Sequence, residues 1–134
     1  MSHERKTVLI IEDEPDTRDY LTCLLSDRGF RVRSAANGEE GLAALETVRP
    51  DLVTLDITMP QKTGIAVYRV MRKHSRWKKI PIIIITGIAK EFEHFISTRR
   101  TVPPPDGYVN KPIDQQKLLG LVEGLFIDGD ARRS

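Results

Sequence analysis

Three short runs constrain the fold of this chain more than any other feature: Val8-Leu9-Ile10-Ile11, Leu52-Val53-Thr54-Leu55 and Ile82-Ile83-Ile84-Ile85. Each is nearly continuous in apolar residues and rich in β-branching, as expected of a parallel strand covered on both faces. These three strands are expected at the centre of a sheet. Arg31-Val32-Arg33-Ser34-Ala35 alternates polar with apolar, and Tyr108-Val109-Asn110 is short and mixed, so both belong at sheet edges.

Segments of helical period separate the runs. Pro15 suits a first helical turn, and Tyr20, Leu21, Leu24 and Leu25 recur on one face until Gly29 stops the segment. Similar spacing occurs at Leu42, Leu45 and Val48, at Ile65, Tyr68 and Met71, and at Leu118, Leu121, Val122 and Leu125 behind an Asp114 N-cap. Strand and helix thus alternate five times. Right-handed crossovers on a parallel sheet then predict an α/β fold in three layers. The expected sheet is a doubly wound, flavodoxin-like, five-stranded parallel one in the order 2-1-3-4-5, with helices on both faces and a ligand crevice at the carboxyl ends of strands one and three.

With 134 residues the chain suits one domain, expected over residues 1–127, and its polar end Asp128 to Ser134 reads as a frayed tail. The net charge of +2 is mild and both signs are interleaved, so electrostatics demands neither a nucleic acid nor a membrane surface as partner. Cys23 is the only cysteine, which excludes an internal disulfide, fits a reducing compartment and reads as a small buried thiol on a helix. No apolar run approaches the roughly 20 residues of a membrane span, and the opening residues do not resemble a secretory leader. The expectation is a cytoplasmic protein.

The polar residues at strand ends carry the chemistry. Glu12-Asp13 follow the first strand, Asp56 ends the third, Thr86 ends the fourth and Lys111 follows the fifth, so all five gather at the carboxyl edge of one sheet. Singly, each has a structural reading: the acids favour a helix start or a turn, Thr86 is a strand residue and Lys111 a solvated amine. Together they form a set. Two carboxylates about 4 Å apart repel by roughly 4 kcal/mol at an effective dielectric near 20, and one lysine does not neutralise three acids. A divalent cation does, and hard oxygen ligands of this kind suit Mg²⁺. A carboxylate beside such an ion can act as a nucleophile toward phosphorus, while a lysine and a hydroxyl receive the phosphoryl oxygens.

On these residues the chain resembles the receiver domain of two-component response regulators. The match runs from about Lys6 to Phe126 and rests on Val8 to Glu14, then Asp56-Ile57-Thr58-Met59-Pro60 with Gly64, then Ile85-Thr86-Gly87, then Tyr108-Val109-Asn110-Lys111-Pro112. The resemblance implies that Asp56 accepts phosphate from a sensor histidine kinase or phosphotransfer protein. It places Glu12, Asp13, Asp56 and the Thr58 carbonyl around Mg²⁺. It gives Thr86 and Lys111 to the phosphoryl group, makes Thr86 and Tyr108 the switch, and makes Lys111-Pro112 a cis peptide. Glu12 stands where the family more often has Asp. Output by this resemblance goes through the face made by the fourth helix, fifth strand and fifth helix to a downstream protein target, from a monomer or a weak phosphorylation-dependent dimer. Nothing after Phe126 reads as a DNA-binding domain, so, unless the chain is a fragment of a longer regulator, output through protein contacts is expected, with no direct nucleic-acid and no membrane contact. The family is a signalling module that assists its own phosphorylation and dephosphorylation and is not an enzyme in the usual sense.

One region departs from that pattern. Ala89 to Arg100 is followed by Thr101-Val102-Pro103-Pro104-Pro105-Asp106-Gly107, and successive prolines do not continue a helix. A fourth helix is expected from the spacing of Phe92, Phe95 and Ile96, then a semi-rigid extended loop, read as either a tolerated insertion or a new binding surface. The basic run from Arg72 to Lys79 reads as a cation-rich helix end and solvated loop with Trp77 partly packed. Asn37-Gly38 reads as a turn, and His3, His74 and His94 lack metal-site spacing. Three rival readings stand beside the receiver. A haloacid-dehalogenase-like phosphatase would want an Asp where Thr58 stands. A flavin protein would want a hydroxyl-rich first loop in place of Glu12-Asp13-Glu14. A degenerate receiver that only docks is disfavoured because every chemical position is filled.

Overall fold

The computed structural model describes residues 6–58, 63–98 and 103–133. In chain order the elements are β1 (Thr7–Ile11), α1 (Pro15–Ser26), β2 (Arg31–Ala35), α2 (Gly38–Thr47), β3 (Leu52–Leu55), α3 (Thr63–Lys73), β4 (Ile82–Thr86), α4 (Ala89–Ser97), β5 (Gly107–Asn110) and α5 (Gln115–Arg133). All strands pair in parallel, in the order β2-β1-β3-β4-β5. This is the doubly wound arrangement that the three apolar runs require.

Alternation along each strand divides the core in two. Leu9, Ile11, Val53, Leu55, Ile82 and Ile84 face one way, onto Val67, Tyr68 and Met71 of α3 and Phe92 and Ile96 of α4. Val8, Ile10, Leu52, Ile83, Ile85 and Val109 face the other, onto Leu21 and Leu25 of α1 and Leu118 and Val122 of α5. Each such side chain contributes about 1.5–3 kcal/mol by leaving water. The edge strands are wetter, with β2 exposed along most of its length, as its alternation predicts.

Local chemistry sets the helix ends. Pro15 opens α1, and Gly29 with φ 94° turns the chain so that Phe30 returns to the core. Asn37 is more than a turn residue: its side chain accepts from the Glu40 amide and caps α2, while Glu40 accepts from the Ala36 amide. Asp114 caps α5 through the Lys117 amide.

Several expectations need correction. Cys23 is exposed, because the buried stripe of α1 is Leu21, Leu24 and Leu25 and residue 23 lies on the opposite side of the helix. Tyr20 sits at the margin of that stripe and is likewise exposed. Val48 adopts extended backbone just past the end of α2. The backbone from Asp128 to Arg133 is helical and forms the end of α5. α4 spans Ala89–Ser97, and Arg99, Arg100, Thr101 and Val102 lie outside the described residues, as do Met59 and Pro60. Trp77 is buried beneath a stacked His74 ring.

The basic run also hides a core residue. Arg72 is buried, and its guanidinium donates to the carbonyls of Ile80 at 2.9 Å and Lys78 at 3.3 Å and to Asp106 at 3.0 Å. It also reaches the Pro104 carbonyl at 3.5 Å, and the Tyr68 hydroxyl donates to the Pro103 carbonyl. The proline segment is thereby tied to α3. Among the described residues no helix is long and apolar enough to cross a membrane.

Candidate functional site

Strand register builds the site. Ile11 pairs with Leu55, so the next residues, Glu12 and Asp56, leave β1 and β3 side by side. The ladder continues one step, with the Asp56 amide donating to the Ile11 carbonyl at 3.1 Å. Thr86 pairs with Asn110, and the Lys111 amide donates to the Thr86 carbonyl at 3.0 Å, which places Lys111 on the same edge. Lys111-Pro112 is cis. Gly64 allows α3 to start against this edge: a methyl group there would overlap the Asp56 carbonyl oxygen and Ile57 Cα.

The side chains converge. Lys111 Nζ lies 3.1 Å from Asp56 Oδ2, 3.2 Å from Glu12 Oε2 and 2.7 Å from Glu14 Oε1. Thr58 donates its amide at 2.8 Å and its hydroxyl at 2.6 Å to Asp56 Oδ1. The Thr86 hydroxyl, itself buried, donates to that Thr58 hydroxyl at 3.3 Å. Tyr108, half-buried one strand further, has its ring 6.3 Å from Phe92, which in turn sits edge-on to Tyr68 at 5.6 Å.

Electrostatics separates the two buried acids. Burial pushes the Glu12 carboxyl up to about 7, against the pull of the Glu14 amide and Lys111. Burial also resists ionisation of Asp56, yet the two Thr58 donors and Lys111 outweigh it and hold this carboxyl below its ordinary value. Lys111 is raised: the Glu14, Asp56 and Glu12 carboxylates overcome its desolvation. Burial raises the Tyr108 phenol to about 12.

The acids can hold a cation. Carboxylate oxygens of Glu12, Asp13 and Asp56 all lie within 4.8 Å of one another. Oε1 of Glu12 is buried without a hydrogen-bond partner, although Lys111 Nζ lies 3.1 Å away. An all-oxygen donor set with one unsatisfied carboxylate oxygen fits a hard divalent ion.

The residues singled out in the sequence are thus together, with Tyr108 one layer away. Two neighbours were missed. Glu14 makes the shortest contact to Lys111, and Arg18 donates to the Glu12 carbonyl at 2.9 Å, bracing the acidic loop. Adjacency to Glu12-Asp13 and a position one turn into α1 were the available signals. An open cavity of about 360 Å³, lined by Asp16, Thr17, Tyr20, Lys111, Pro112 and Ile113, adjoins the site. A larger one of about 470 Å³ lies around Trp77, away from these carboxylates.

A family model described as "Response regulator receiver domain" matches residues 8–123. The chain belongs to the response regulator receiver family. Protein PilH of Pseudomonas aeruginosa is 31% identical over 119 residues, covering 89% of this chain and 96% of its own. The transcriptional regulatory protein GltR of the same species is 30% identical over 126 residues, and this receiver spans only 51% of its length. Among solved structures, the chemotaxis response regulator CheY4 of Vibrio cholerae superposes with TM-score 0.77 at 28% identity, over 89% of this chain and 97% of that one. The receiver is therefore a signalling module with the five-stranded fold derived above.

Proposed function

We propose that this receiver is a phosphoacceptor switch of a two-component phosphorelay, with Asp56 as the accepting residue. The observation that carries the reading is the juxtaposition of a buried Asp56 with Lys111, Thr86 and an acidic cluster at one sheet edge. In the transfer step, a carboxylate oxygen of Asp56 forms a bond to phosphorus. The bond from phosphorus to the donor's histidine nitrogen breaks, and that nitrogen keeps the electron pair and takes up a proton. Lys111 holds its charge near the incoming phosphoryl oxygens, and the Thr58 donors fix the carboxylate plane. Glu12, Asp13, Asp56 and the Thr58 carbonyl would hold Mg²⁺, which supplies positive charge to the phosphoryl oxygens when bound.

The switch follows from the same residues. Thr86 exchanges its Thr58 partner for the new phosphoryl group, Tyr108 takes the space it leaves, and the face formed by α4, β5 and α5 is remodelled for a downstream protein. This is a population shift between two states of that face. Hydrolysis of the acyl phosphate resets it. The protein works in the cytoplasm, with a sensor histidine kinase or phosphotransfer protein as donor, as a monomer or a weak dimer when phosphorylated.

Incubation with acetyl phosphate and Mg²⁺, followed by intact-mass analysis, tests the site. One Mg²⁺-dependent phosphoryl adduct is expected in the parent and none in Asp56→Asn. An adduct that persists unchanged in the variant contradicts the assignment.

A further inference from the structure

Lys111 has no hydrogen-bond donor to spare. An ammonium group carries three N–H donors, and in this protein they face three carboxylates, on Glu12, Asp56 and Glu14. A phosphoryl oxygen arriving at Asp56 takes a hydrogen bond from Lys111 only by displacing one of them.

The three acceptors are not equivalent. Glu12 and Asp56 are 1% and 2% exposed, and each is held by further hydrogen bonds from the Glu14 amide and from Thr58. Releasing either from Lys111 takes a hydrogen-bond donor away from a buried carboxyl group. The Glu14 side chain is 59% exposed, at the start of α1, and among the described residues its only other side-chain hydrogen bond is a long one of 3.4 Å from the Thr17 hydroxyl. Its release leaves a hydrated carboxylate. Yet it makes the shortest of the three contacts, at 2.7 Å.

The geometry points to Glu14 as a placeholder that occupies, in the resting protein, the Lys111 donor later taken by a phosphoryl oxygen. This rests on the reading of Asp56 as phosphoacceptor and assigns Glu14 as a positioning residue that slows phosphoryl acceptance. It does so in two ways. Its carboxylate competes for Lys111, and its charge repels an anionic phosphodonor at the mouth of the site. As an exposed ion pair it contributes little to stability, so its removal changes rate without changing the melting temperature.

The test compares initial rates of adduct formation from acetyl phosphate in Mg²⁺ buffer. In that reaction Asp56 bonds to phosphorus, the bond to the bridging oxygen breaks, and acetate leaves with the electron pair. Glu14→Gln is expected to react about threefold to tenfold faster than the parent at low salt, with the difference shrinking as salt screens the charge. Glu14→Asp, which keeps the charge but loses reach, is expected between the two. In a Lys111→Met background the Glu14→Gln gain should shrink to what relief of the donor repulsion alone supplies, because the competition runs through the ammonium group; an undiminished gain overturns the placeholder role.

A second measurement needs no phosphodonor. In metal-free protein, acylation of the Lys111 amine relative to exposed Lys117, read by peptide mass, should be about threefold faster in Glu14→Gln. Equal or slower adduct formation in Glu14→Gln, or an unchanged Lys111 labelling ratio, overturns the placeholder role. A parent that forms no adduct contradicts the reading of Asp56, and the labelling ratio then decides the role of Glu14 alone.

Discussion

Thr58 gives both its amide and its hydroxyl to one oxygen of Asp56, at 2.8 and 2.6 Å, and leaves the other oxygen to Lys111 at 3.1 Å. The carboxylate is therefore pinned in plane and kept ionised despite its burial. A nucleophile held this way needs no reorientation when a phosphodonor arrives.

Thr58→Val removes the hydroxyl donor and spares the amide. The Asp56 carboxyl should then titrate at higher pH, followed by carbon-13 carboxyl resonance. The folded value lies below the ordinary 3.8, so the stabilisation is present above 3.8 and is lost as the pH falls through the folded value. The variant should be about 1–2 kcal/mol less stable at neutral pH, with the gap closing on acidification. An unchanged titration contradicts the role given to this hydroxyl.

Glu12 behaves in the opposite sense. Its carboxyl is raised by burial from 4.5 to about 7, so stability tied to its proton is complete below 4.5 and is lost as the pH rises through about 7. Metal-free protein should lose up to about 3 kcal/mol across that window, at 1.36 kcal/mol per pH unit. Mg²⁺ should restore most of it, and Glu12→Gln should flatten the slope. Thermal melts at several pH values check this, and a pH-independent melting temperature in metal-free protein contradicts it.

Arg72→Met keeps an apolar stem and deletes the guanidinium, which lies over the Tyr68 ring and donates to Ile80, Lys78 and Asp106. A loss of about 1–3 kcal/mol in urea unfolding is expected, because the hydrogen bonds of the buried guanidinium to the Ile80 carbonyl and Asp106 are lost. The amides of Asp106 and Gly107 should also exchange faster with deuterium. Unchanged exchange there would mean that the clamp does not hold the proline segment.

Gly64→Ala pushes a methyl group into the backbone at Asp56 and Ile57. The start of α3 must shift, at about 1–3 kcal/mol. Phosphoryl acceptance should fall together with stability, because the displaced backbone carries the nucleophile. Chemical denaturation and adduct formation on the same samples check both.

Much of this was written into residue types. The runs at Val8, Leu52 and Ile82 have no polar face, and a strand without one belongs inside a parallel sheet, so the sheet order and the meeting of Asp56 with Lys111 follow from topology. Side-chain partners did not follow. Arg72 looks like any other cation between Met71 and Lys73, and only the tertiary placement of three carbonyls and Asp106 makes it a core residue. Glu14 differs from Asp13 by nothing in the sequence that would announce its contact with Lys111. Cys23 and Tyr20 were misplaced because a helix stripe is narrower than the list of apolar residues along it.

The central claim is that the phosphoryl group resides on Asp56, and reductive trapping reads it most directly. Protein treated with acetyl phosphate and Mg²⁺ is reduced with borohydride, which converts an acyl phosphate to the alcohol, and then mapped by peptide mass. The expected result is homoserine at position 56 alone, formed only when Mg²⁺ is present. Homoserine at another carboxylate, or an untouched Asp56 in protein whose intact mass shows the adduct, would contradict it.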